Sequence, residues 1–107
     1  MRKETKDVMS AFLEGKSCSR HRTRTDGREV YLHGNLIAWR EDNGGISMCL
    51  AGWGSVTTRE RLNGLCELLT GKRPWHQKAH EQMFDGREVG TREVITFHTL
   101  EVTACAA

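Results

Sequence analysis

The segment Ala51-Gly-Trp-Gly-Ser-Val-Thr-Thr-Arg-Glu-Arg-Leu-Asn-Gly-Leu65 ends an apolar strand and opens a capped helix, and no other stretch constrains the fold as much. Leu62, Leu65, Cys66 and Leu69 form one apolar stripe, with Leu68 at its edge, so the helix must pack one face on something. Thr57 and Glu60 have capping-box spacing, in which each side chain satisfies the other's backbone N–H. Gly71 stands where a left-handed C-cap belongs, and Lys72-Arg73-Pro74 follows it. The expected helix runs from about 58 to 70.

Upstream, residues 29–33, 36–40 and 46–51 read as strands of an antiparallel meander. Asp26-Gly27, Gly34-Asn35 and Asn43-Gly44-Gly45 supply the turns. Val8, Met9, Phe12 and Leu13 have helical spacing in residues 3–14, with Gly15 as the stop. Residues 17–25 alternate arginine with His and Thr and have few apolar positions, so they read either as a strand or as an irregular arm. Residues 75–84 fit either a helix begun by Pro74 or a hairpin. Asp85–Val89 repeats the Asp26–Val30 sequence and precedes a last apolar strand, 93–100.

The expected fold class is therefore α+β: an antiparallel sheet of four to six strands, one main capped helix packed on it, and a short N-terminal helix. A chain of 107 residues is expected to form a single domain. Within it, 1–25 holds the N-terminal helix and a basic segment, 26–100 the sheet and helix core, and 101–107 a frayed tail. No run approaches the roughly 20 apolar residues of a membrane span, and the mean hydropathy is −0.57. Met1–Asp7 leads into no signal-peptide core, so the expected location is a cytoplasm, with Cys18, Cys49, Cys66 and Cys105 as reduced thiols.

The net charge is only +2, but Lys16, Arg20, Arg22, Arg24 and Arg28 face a single acid, Asp26, within one short stretch. Such a stripe is an electrostatic footprint for a polyanion, or else a solvated sheet face. A second candidate lies at the helix start, where Thr57, Thr58, Arg59, Arg61 and Asn63 gather the groups that position a nucleic-acid backbone. Arg59 and Arg61 have the wrong sign for the positive end of a helix dipole, which suggests a role for both. The structural alternative leaves Thr57 as a cap, Trp53 in the core, Arg59 in solvent and Arg61 in solvent or paired with acids. Trp39 and Trp53 would offer stacking surfaces to bases. Trp75, after Pro74 in a polar stretch, is the candidate exposed anchor for a protein partner.

Other chemistry is thinly supported. Cys18-x-x-His21 and His76-x-x-x-His80 are weak half-sites for zinc, so no metal and no cofactor are expected. No nucleophile elbow is present, and residues 64–73 lack the spacing and the Ser or Thr of a phosphate-binding loop. Thr25-Asp-Gly, Tyr31-Leu-His-Gly-Asn-Leu-Ile-Ala38, Ala51-Gly-Trp and Thr57-Thr-Arg-Glu-Arg-Leu-Asn-Gly-Leu65 together resemble a family of small proteins of tailed bacteriophages. Met9–Lys16 and Phe84-Asp-Gly86 extend the resemblance to residues 8–90. It implies a bacterial cytoplasm, favours a hairpin over 75–84, and transfers no catalytic residue. The expectation is a non-enzymatic accessory protein that binds nucleic acid through Arg20, Arg22, Arg24, Thr58, Arg59, Arg61 and Asn63. Its alternative is a module that binds a host or phage protein, through Trp75 or by forming an oligomer.

Overall fold

The computed structural model describes residues 1–98. The end of the 93–100 strand, the 101–107 tail and Cys105 lie outside the described residues. The fold is α+β, with two helices and two antiparallel sheets. Helix α1 (Lys3–Leu13) buries Val8, Met9 and Phe12, the face its spacing predicts. Strands β1 (Cys18–Arg20), β2 (Thr23–Thr25), β3 (Glu29–Leu32), β4 (Asn35–Arg40) and β5 (Ile46–Met48) pair in sequence order. Strand β9 (Ile95–Phe97), reached after the elements below, closes this six-stranded sheet beside β5.

Residues 17–25 are thus a hairpin, β1 to β2, and not an arm. Alternation explains their composition: Thr23 and Thr25 turn inward with Leu32 and Val30, while Arg24 and Tyr31 pair on the outer face. His33 and Gly34 join β3 to β4 with φ of 52° and 81°, as a two-residue turn that matches strand twist requires.

Helix α2 (Val56–Thr70) begins two residues before the expected start, and its cap is Ser55. The Ser55 hydroxyl accepts from Thr58 N at 3.1 Å, while the Glu60 carboxylate is drawn away to Thr5 and Arg61. The Thr57–Glu60 capping box is therefore replaced by a Ser55 cap. Gly71, at φ 79°, ends the helix in the left-handed conformation, its N–H bonding Glu67 O at 2.8 Å.

Both helices lie on one face of the large sheet, enclosing Phe12, Val30, Ile37, Met48, Leu62 and Leu65. They cross closely at Gly64, where an added Cβ would overlap the Thr5 methyl. Residues 75–84 form the favoured hairpin, β6 (Trp75–Lys78) and β7 (Glu81–Phe84), but in a sheet of their own with β8 (Arg87–Glu88). Edge-on ring contacts from Trp75 to Phe84 (5.0 Å) and from Phe84 to Phe97 (6.1 Å) tie this small sheet to the large one.

Candidate functional site

The α2 start does gather the residues expected there, but it uses most of them inside the fold. Arg61 is 5% exposed. Its Nε donates to Thr23 Oγ1 (2.8 Å), and its Nη1 to Thr5 Oγ1 (2.9 Å) and to Glu60 Oε1. Glu4 adds a second carboxylate at 3.7 Å from Nη2. Burial alone would raise the Glu60 carboxyl, but the Thr5 hydroxyl, the Arg61 guanidinium and the Arg2 N–H outweigh it and hold the pKa below its ordinary 4.5. The charge that looks wrong for a helix N-terminus is thus neutralised by acids on α1 and α2. Arg61 is an internal tie between α1, α2 and β2, not a contact for a polyanion.

Asn63 is also buried, and it clamps one residue of the small sheet. Its Oδ1 accepts from Trp75 N at 2.8 Å and its Nδ2 donates to Trp75 O at 2.7 Å. Thr58 is buried against its own cap, with Oγ1 2.9 Å from Ser55 Oγ. Arg59 stays partly open, although its Nη1 reaches three neutral oxygens: Gly54 O (2.9 Å), Gln77 Oε1 (3.1 Å) and Gln82 Oε1 (2.8 Å). Trp75, expected as an exposed anchor, is 2% exposed and belongs to the core. Its polar neighbours along the chain mislead because β6 turns only this residue inward.

The basic stripe is split by the β1–β2 turn. Arg20 registers opposite Thr23 and pairs with Asp7 of α1 at 3.3 Å, on the helix side of the sheet. Arg24 lies on the other face, with its guanidinium 4.2 Å from the Tyr31 ring centroid. Arg28 pairs with Asp42 at 3.6 Å. Arg22, exposed in the turn, is engaged by no acid among the described residues. The arginines therefore do not share one face.

Beside the exposed Ser55 and Thr57, the α2 start leaves two large apolar side chains open. Trp53 is 59% exposed and Val56 is 73% exposed. At Trp53 a cleft of about 190 Å³ opens between the β3–β4 turn and the first turn of α2. Leu32, Ile37, Leu50 and Trp53 form its apolar wall; His33, Asn35, Ser55 and Thr58 supply polar atoms. Gly52, at φ 86°, takes the left-handed conformation that favours glycine, and the ends of two long side chains lie over Gly52 and Gly54. A Cβ at Gly52 would lie 2.8 Å from the Arg92 guanidinium, and one at Gly54 would lie 2.7 Å from Gln82 Nε2. Sequence reasoning passed over Val56 and Arg92. A signal for the Trp53 face existed in the Gly-Trp-Gly run at a strand-to-helix junction, where a tryptophan sits on neither element's core stripe.

Burial pushes the Cys66 thiol up to about 12, and its Sγ lies 3.5 Å from Met48 Sδ in the core. Cys49 is buried as well. Among the described residues no group of three or more His, Cys, Asp and Glu side chains is placed to hold a metal ion, and no helix is long and apolar enough to cross a membrane. No curated protein and no solved structure matches the chain. Its kinship lies elsewhere: a family model matches residues 1–102, almost its whole length, and the chain belongs to the phage protein family described as Kyanoviridae Gp96 protein.

Proposed function

We propose that the protein is a non-enzymatic phage accessory protein that acts in the bacterial cytoplasm by binding another protein, of host or phage, through the face around Trp53. The observation that carries this reading is the exposure of Trp53 in the wall of an apolar cleft. Tryptophan is the side chain most enriched among residues that dominate interface energies, and it does so from central apolar pockets. The cleft is also smaller than the roughly 300–1,000 Å³ of small-molecule sites, which suits a side chain of a partner better than a cofactor or metabolite.

The nucleic-acid reading keeps Arg22 and Arg24 as exposed cations but has no continuous track of them, because Arg20 and Arg28 are paired with acids. One experiment weighs both readings. Immobilised protein is exposed to lysate from infected cells, and fluorescence anisotropy is run in parallel with labelled single- and double-stranded DNA at low and physiological salt. The expected result is a defined captured protein that Trp53→Ala fails to retain, with no saturable DNA binding. Salt-sensitive DNA binding lost in an Arg22→Ala/Arg24→Ala double variant would replace the protein-partner reading with the nucleic-acid one.

A further inference from the structure

We infer that the segment seated in the Trp53 cleft is an acidic peptide stretch that inserts one large apolar side chain. This rests on the protein-binding reading above and names the chemistry of the partner. The apolar part follows from Leu32, Ile37 and Leu50, which line a cleft sized for one side chain. The acidic part follows from charge around it.

No carboxylate lines the cleft, and three arginines belong to segments next to it. Arg22 lies across from the β3–β4 turn, its carbonyl accepting the His33 N–H at 2.9 Å. Arg92 lays its guanidinium against Gly52, one residue before Trp53. Arg59 lies at the α2 start, bonded only to neutral oxygens. Arg22 and Arg92 are exposed, and no acid among the described residues engages either. Cations without acids beside an apolar slot complement carboxylates that flank an apolar residue. Charge of this kind steers encounter and rejects basic partners, while the buried anchor supplies the affinity.

A nucleic acid would meet the same cations, but besides Trp53 the cleft holds only one other ring, that of His33, among aliphatic walls. The single-stranded binders that use such charges align several aromatic platforms along a backbone track.

The test uses the full chain and three labelled linear peptides. One has aspartates around a central Phe-Leu pair, one has lysines in place of the aspartates, and one keeps the aspartates but has serines in place of the pair. The first should bind saturably, and the other two at least roughly tenfold more weakly. Arg22→Glu/Arg92→Glu should weaken the first peptide by a similar factor. Both side chains are exposed and unpaired, so its melting temperature should match the wild type's. Trp53→Ala should also abolish binding.

Equal binding of the lysine and aspartate peptides, still lost in Trp53→Ala, would overturn the acidic assignment while leaving the Trp53 face intact. Failure of all three peptides while Trp53→Ala still loses a captured protein from lysate would overturn the linear-peptide inference alone. Single-stranded DNA displacing the acidic peptide through Arg22 and Arg92 would overturn it in favour of a nucleic acid.

Discussion

Trp75 fills the seam between α2 and the small sheet, with its ring edge-on to Phe84 and its indole N–H facing only the Cys66 sulfur. Sulfur is a weak acceptor, and the N–H makes no hydrogen bond within the described residues. Its value to the fold is therefore area and shape. Trp75→Ala should destabilise by about 3–5 kcal/mol, the range for emptying a large aromatic site. Trp75→Phe should cost much less, since it forfeits no hydrogen bond. Urea denaturation of both variants checks this, and equal losses would show that the N–H matters after all. Trp53, by contrast, is open, and its removal should change stability by no more than about 0.5 kcal/mol.

At the scale of elements, the α1–α2 crossing turns on one glycine. Gly64 costs α2 roughly 1 kcal/mol of helix propensity relative to alanine. Its presence is explained by Thr5, whose methyl occupies the space a Cβ would need. Gly64→Ala should therefore lower the melting temperature, although the same change on an open helix face would raise it. A rise would mean that the crossing yields easily.

The existence of α2, its Gly71 stop and the strand meander were all legible in local pattern, because spacing and turn chemistry are properties of neighbours in sequence. Legibility failed wherever a distant residue decided the outcome. Glu60 looked like a capping-box partner until Thr5 and Arg61 claimed it, and Ser55 took the cap. Trp75 stood in a segment whose local polarity gave no hint of Asn63 or Phe84. Arg61 and Asn63 have the chemistry of a ligand site, and they apply it to this chain's own backbone and acids.

Across the whole molecule, the Arg61 network joins the N-terminal helix, the second strand and the main helix through one buried guanidinium. The Glu60 carboxyl titrates below its ordinary 4.5 in the fold, so its share of stability is complete above that value and is lost as pH falls through the folded pKa. Glu60→Gln should therefore be less stable than wild type at neutral pH, by roughly 1–3 kcal/mol. The gap should narrow as the solution is acidified. Melting temperatures of both proteins across that range measure it, and a constant gap would rule out the linkage.

The Asn63 clamp has a consequence of another kind. Strand β6 is an edge of the small sheet, and the outward N–H and C=O of Trp75 are occupied by a helix side chain that pairs with them as a neighbouring strand would. Unpaired edges are templates for strand addition from other chains. By covering Trp75 with a side chain rather than a strand, the fold takes one N–H and C=O pair of this edge out of that template.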